Sequence, residues 1–282
     1  MAVMSLVIGC SVACAKQPAT EEDKAEEAVV EALPQGDTVA VMSHVMDRAI
    51  KNTVIVPRAY YADTTRRWPV VYLLHGADGC YSDWPRKANL DSLANRYEVI
   101  IVCPDGQDSW YFDSPIDPTM QFETYVGTEL VNWIDEHYRT IDSPKGRAIT
   151  GLSMGGHGAL WIGWRHPDTF GQTGSMSGGV NITKFPDRWL IQRMLGKYSA
   201  NPKRWADHAV VNLVPSLKAG RQRITIDDGE SDFFLEVNNE LHAALLKAKI
   251  PHDYTIRPGG HSWTYWVNSL DYHLLFFQKG FK

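Results

Sequence analysis

The chain has little of several things that would narrow its class. Four cysteines in 282 residues are too few for the disulfide framework of a small secreted domain. Cys80 and Cys103 read instead as small buried hydrophobes. The uncharged opening from Met1 to Cys10 is too short to cross a bilayer. No internal repeat is visible, which sets aside solenoids and propellers. Positive charge is not in excess either: the formal net charge is −5. All of it is concentrated between Cys10 and Asp37, where Glu21, Glu22, Asp23, Glu26, Glu27, Glu31 and Asp37 face only Lys16 and Lys24, and the remainder balances. The body therefore offers no basic footprint for nucleic acid, and the acidic stretch reads as a solvated tether.

Beyond that tether the composition is that of a globular protein, 44% apolar and 22% charged, with a mild excess of aromatics in ten Trp and twelve Tyr. Length permits one large domain. Val7-Ile8-Gly9-Cys10 resembles a bacterial lipoprotein processing box, with Ser11-Val12-Ala13-Cys14 a weaker second copy, although a positive n-region is missing. Residues 1–38 are thus expected to be an export signal and tether, with Cys10 as a lipidated membrane anchor, and 39–282 the folded body. A cytoplasmic N-terminus is the alternative.

Within the body, strands are expected at 52–56, 69–75, 98–103, 147–150, 170–176, 223–227 and 252–257. Helices are expected at 86–96, 121–138, 155–166, 233–249 and 264–281. Strands such as Pro69-Val-Val-Tyr-Leu-Leu-His75 are continuous apolar runs, as in a sheet covered on both faces. Alternating strands and helices define an α/β class with a mostly parallel central sheet and helices on both faces. The stretch at about 181–220 breaks the alternation and reads as a small cap-like insertion.

The chemistry centres on Gly151-Leu152-Ser153-Met154-Gly155. It matches G-x-S-x-G, follows a strand and opens a helix, the context of a nucleophile elbow in an α/β-hydrolase fold. A sharp turn there exposes the serine hydroxyl and aims free helix N–H groups at the place where an oxyanion would form. In this fold the acid and then the base follow the serine along the chain. His261, in a loop after the last strand, is the expected base. His252 begins that strand, His273 lies inside the final helix, and His157, one helical turn past Ser153, reads as structural. The segment Asp227-Asp228-Gly229-Glu230-Ser231-Asp232 offers four carboxylates. Asp232 lies past the glycine turn and is the first choice for the acid, with a helix N-cap as its bland alternative and Asp228 second. The oxyanion donors are expected to be the backbone N–H groups of Met154 and of Ala77, the latter in Leu74-His75-Gly76-Ala77-Asp78-Gly79. His75 and Asp78 lack neighbours that would make a metal site, and neither a metal nor a cofactor is expected. Trp110 and Tyr111, in a loop after a strand end, could stack on a sugar or aromatic acyl group, or merely pack that loop. Trp263 is expected to pack behind His261.

These residues resemble the esterase-D-like esterases of the α/β-hydrolase superfamily. That group includes feruloyl and acetyl-xylan esterases, S-formylglutathione hydrolases and mycolyltransferases. The likeness runs from about Thr53 to the C-terminus and rests on segments 70–76, 129–139, 151–159, 227–234 and 258–266. It implies a serine ester hydrolase, with Asp232 and His261 as partners of Ser153 and Ala77 as an oxyanion donor. It leaves the substrate open. An exported member would suit ferulate or related hydroxycinnamate esters of plant-polysaccharide fragments, a small-molecule or oligosaccharide substrate. The alternatives are an acetyl (xylan) esterase, an S-formylglutathione hydrolase-like thioesterase or an acyltransferase. The complete Ser153, Asp232 and His261 set argues against a non-catalytic binding protein.

Overall fold

The computed structural model describes residues 36–186 and 188–281. The expected export signal, Cys10 and nearly all of the acidic tether lie outside the described residues. Eight strands form one sheet: β1 (Asp37–Ser43), β2 (Arg48–Ile55), β3 (Val70–Leu74), β4 (Ile100–Pro104), β5 (Arg147–Gly151), β6 (Gln172–Met176), β7 (Arg223–Gly229) and β8 (Asp253–Arg257). Their order is β1-β2-β4-β3-β5-β6-β7-β8. The first two form an antiparallel hairpin, β2 is antiparallel to β4, and every later pairing is parallel. This is the α/β-hydrolase fold.

Strand parity splits the core in two. Val70, Tyr72 and Leu74 of β3 join one buried cluster with Ile100, Val102 and Ile149, while Val71 and Leu73 join the other with Ile101, Cys103 and Ala148. Both faces therefore need covering, and helices cover them. On the first side lie α2 (Leu130–His137), α3 (Met154–Arg165) and α4 (Leu235–Lys247), contributing among others Leu130, Leu160 and Leu241. On the second lie α1 (Leu90–Tyr97) and α5 (Trp263–Gln278), contributing Leu90, Ala94, Leu270 and Leu274. Cys80 and Cys103 are free and buried.

Two details differ from expectation. The β1–β2 hairpin extends the sheet beyond the anticipated strand; β1 is an edge strand with mostly exposed or half-exposed side chains, so its apolar signal is weak. The helix expected at 121–138 contains a π-helical turn, Tyr125–Glu129, just before α2. Glu129 emerges from it to bind the hairpin, accepting from the Ser43 hydroxyl at 2.7 Å and the His44 N–H at 2.9 Å. Among its described residues the stretch at 181–220 holds short helical turns, the longest being Val210–Ser216 and Pro202–Asp207.

The topology also places a crevice. The chain runs from β3 to β4 on one side and returns to add β5 on the other. The carboxyl ends of β3 and β5 flank this reversal, the usual position for a ligand in an open α/β sheet.

Candidate active site

Ser153 sits between β5 and α3 with φ 54° and ψ −117°. A non-glycine residue there is strained, and such strain persists only where neighbours enforce it. The Ser153 N–H donates to the Met176 carbonyl at 2.9 Å, and the His157 N–H donates to the Ser153 carbonyl at 3.1 Å. The flanking glycine at 155 is required by crowding: a Cβ on Gly155 would lie 2.4 Å from the His75 carbonyl oxygen.

The serine hydroxyl faces His261. The Oγ to Nε2 distance is 2.9 Å, and His261 Nδ1 lies 2.9 Å and 3.1 Å from the two carboxylate oxygens of Asp232. Asp232 Oδ1 also accepts the Phe234 N–H at 2.8 Å. The helix N-cap that was its alternative role falls instead on Phe234, with no side-chain cap, so Asp232 does not take it. His261 is held by its own loop: Ser262 N-caps α5, accepting from the Tyr265 N–H at 3.4 Å. The expected serine, base and acid are thus brought into one hydrogen-bonded chain.

The loop after β3 closes over the serine. A Cβ on Gly76 would stand 2.6 Å from Leu152 Cδ1 and 3.4 Å from the Ser153 Cβ. Ala77 follows immediately, so its backbone lies beside the elbow, as does Met154, the first residue of α3. His75 fixes this loop. Its Nε2 accepts the Gly106 N–H at 2.8 Å, so the proton sits on Nδ1 and is donated to the Gly76 carbonyl at 2.7 Å.

The remaining histidines take other places. His157 is buried with Trp110, Phe112 and Trp161 around its ring, and burial pushes it down to about 3. His252 pairs with His242 at 2.8 Å. His273 meets Thr150 at 2.8 Å, near Asp227. Asp228 is buried beside Asp232; burial first, and the neighbouring carboxyl second, push it up to about 8.

The aromatic expectation needs correction. Trp110 is 1% exposed and Tyr111 fully buried. Both have positive φ, 55° and 58°, which turns their rings into the protein. Trp110 donates to the Trp189 carbonyl at 3.0 Å, and the Tyr111 hydroxyl donates to the His75 carbonyl at 3.2 Å. Neither offers a ring face to substrate; they pack and brace the site. One exposed aromatic stands beside the base, with a second stacked on it. Phe233 is 52% exposed, its ring centroid 4.2 Å from that of His261. Trp189, half-buried, stacks on Phe233 at 5.8 Å with 14° between planes. Likewise the ring behind His261 is Trp266, at 4.8 Å, while Trp263 packs on Trp84 and Trp266. Phe233 was legible in principle, because the residue after the acid must lie near the base; Trp189, in the insertion, carried no such signal.

A strained serine within hydrogen-bond reach of an imidazole, itself oriented by a buried carboxylate, defines a hydrolase site of the nucleophilic class. The chain belongs to the family described as "Putative esterase", whose model matches residues 43–277. It is a carboxylic ester hydrolase. Among its relatives is an acetyl esterase of Caldicellulosiruptor saccharolyticus, 29% identical over 210 residues that cover 70% of this chain and 78% of that one. The S-formylglutathione hydrolase of Bos taurus is 23% identical over 236 residues, covering 74% and 82%. A solved ferulic acid esterase structure superposes with a TM-score of 0.75 at 29% identity, covering 87% of this chain and 98% of the other.

Proposed function

We propose that the enzyme releases hydroxycinnamic acids such as ferulate from neutral plant-polysaccharide fragments through an acyl-enzyme on Ser153. The observation that carries the mechanism is the continuous hydrogen-bonded chain from Ser153 Oγ through His261 to Asp232. His261 Nε2 takes the hydroxyl proton as Oγ attacks the ester carbonyl. Asp232 stabilises the resulting imidazolium. The N–H groups of Met154 and Ala77 receive the oxyanion. His261 then returns the proton to the departing alcohol, and water repeats the sequence to free the acid.

The aromatic acyl group is supported by the exposed Phe233 ring beside His261, on which Trp189 stacks, and by the likeness to a ferulic acid esterase structure. The acetyl esterase relative supports the second reading, an acetyl esterase. The deciding experiment compares kcat/KM for methyl ferulate and a matched acetyl ester in wild type and Phe233→Ala. An aromatic contact worth about 0.5–1.5 kcal/mol corresponds to a selective loss of roughly two- to twelve-fold on ferulate. Equal losses on both esters would remove Phe233 from acyl recognition. No ferulate release by wild type would defeat the substrate assignment.

We also propose export and anchoring through Cys10, on the strength of Val7-Ile8-Gly9-Cys10 and the acidic tether behind it. Mass spectrometry of protein from a bacterial envelope should find a lipid-modified Cys10, and an unmodified N-terminus would refute it.

A further inference from the structure

The direction of the Ala77 N–H depends on how the two peptide planes flanking Ala77 are held. The N–H itself belongs to the Gly76–Ala77 peptide, and in a trans peptide it points opposite to the carbonyl. The Gly76 carbonyl accepts from His75 Nδ1 at 2.7 Å and from the Gly79 N–H at 3.3 Å. The Ala77 N–H is therefore aimed away from those partners, and no acceptor among the described residues takes it.

The second plane, Ala77–Asp78, is held from a different loop. The Asp78 N–H donates to Asp108 Oδ1 at 2.7 Å. A bond from an N–H to a carboxylate is shorter and stronger than one between neutral groups. Asp78 has φ 58°, a left-handed conformation that a non-glycine residue keeps only under constraint. Each residue has only two soft backbone dihedrals. Holding the planes on both sides of Ala77 thus sets both of its angles, and Asp108 supplies the half that His75 does not.

Asp108 is presented on a firm support. It is half-buried in the loop that follows β4. Asp105 Oδ1 accepts the Gln107 N–H at 2.9 Å, and the Gly106 carbonyl accepts the Ser109 N–H at 3.3 Å. The Gly106 N–H donates to His75 Nε2 at 2.8 Å, and the buried Trp110 and Tyr111 side chains follow directly. One loop therefore reaches the oxyanion turn twice, through the His75 ring and through the Asp108 carboxylate.

We propose that Asp108 is a positioning residue of the oxyanion hole: by accepting the Asp78 N–H it holds the turn after β3 so that the Ala77 N–H meets the tetrahedral intermediate. Donors of this kind act on the oxyanion more than on the ground-state carbonyl, so displacing one lowers kcat and leaves KM little changed.

The inference rests on Ala77 as the oxyanion donor in the ester hydrolysis proposed above, so its test includes a readout that does not depend on turnover. In the full chain, Asp108→Ala removes the acceptor, and Asp108→Asn keeps an acceptor oxygen without the charge. With p-nitrophenyl acetate, Asp108→Ala should lose about ten- to hundred-fold in kcat with KM within about two-fold of wild type, while Asp108→Asn recovers to within about three-fold. Phenylboronic acid, which forms a tetrahedral adduct on the serine, should bind Asp108→Ala more weakly by a factor close to its loss in kcat/KM. Amide hydrogen exchange read by mass spectrometry on a peptide spanning residues 75–80 should be faster in Asp108→Ala and near wild type in Asp108→Asn. Unchanged exchange in Asp108→Ala, a loss carried by KM alone, boronate affinity equal to wild type despite a lower kcat, or an Asp108→Asn as damaged as Asp108→Ala would overturn the proposal. Faster exchange with kcat unchanged would overturn Ala77 as the donor and leave the brace itself standing.

Discussion

Replacing Trp110 by Ala separates packing from recognition. The side chain is 1% exposed, lies against His157 and Trp189, and donates to the Trp189 carbonyl at 3.0 Å. Removing a buried aromatic of this size costs about 3–5 kcal/mol through lost transfer energy and residual cavity. For a domain of this length each kcal/mol lowers Tm by roughly 2–4 °C, so a loss of about 4 kcal/mol should lower it by roughly 8–16 °C. Ester turnover, measured well below the new Tm, should fall by similar factors on methyl ferulate and on an acetyl ester, because the ring meets neither. Thermal melts followed by circular dichroism, paired with kcat/KM on both esters, read the two effects separately. A Tm within about 2 °C of wild type, together with a ferulate-selective loss of about ten-fold, would mean that the ring faces the cleft and that the burial argument is mistaken.

Ser153→Ala should abolish p-nitrophenyl ester turnover and fluorophosphonate labelling while leaving the melt intact; persistent labelling would place the nucleophile elsewhere. Asp232→Asn should lower kcat by about 10⁴-fold, since the amide favours the wrong imidazole tautomer. Asp227 titrates far from this chemistry: burial acts to raise its carboxyl, but His273, Ser269 and Arg257 outweigh it and hold the pKa below the usual value. A carboxyl depressed in the folded state stabilises above its unfolded pKa and loses that stabilisation as pH falls through the folded one. Asp227→Asn should therefore cost about 3–5 kcal/mol at neutral pH by stranding Arg257. Its stability should also fall less steeply than that of wild type below about pH 4, as read by urea titrations across pH.

The parallel strands were legible because a strand covered on both faces must be apolar at consecutive positions, as β3 and β4 are. The elbow was legible because its glycines answer to crowding that any side chain would violate. The half-exposed β1 lacked the first kind of signal. Trp110 and Tyr111 defeated the reading for a different reason: two successive non-glycine residues at positive φ have no compositional marker. The trace they left lies elsewhere in the sequence, at Gly106 and Gly158, where a Cβ would stand 2.3 Å from the Tyr111 ring. Those glycines make room for an inward-turned aromatic, but pairing them with Tyr111 requires the fold.

The choice among the carboxylates near β7 turns on parity and on one glycine. Successive residues of a strand face opposite sides of the sheet. Asp227 accordingly meets Arg257, Ser269 and His273 on the α5 side, and Asp228 meets Asn238 of α4 on the other. Each is bound to its own layer and cannot also reach over the sheet edge. A strand end by itself therefore excludes both, whatever their acidity. Gly229 ends β7 against the loop that carries the base: a Cβ there would lie 2.5 Å from the Gly259 carbonyl oxygen. The Ser231 N–H donates to that same carbonyl at 2.9 Å, so the two loops run side by side over this stretch. Asp232 is the next residue along and His261 lies two beyond Gly259, which is why this carboxylate meets the imidazole edge-on. Lengthening the 229–232 turn by one residue would keep every carboxylate yet break this register, and ester turnover should then fall as far as in Asp232→Asn.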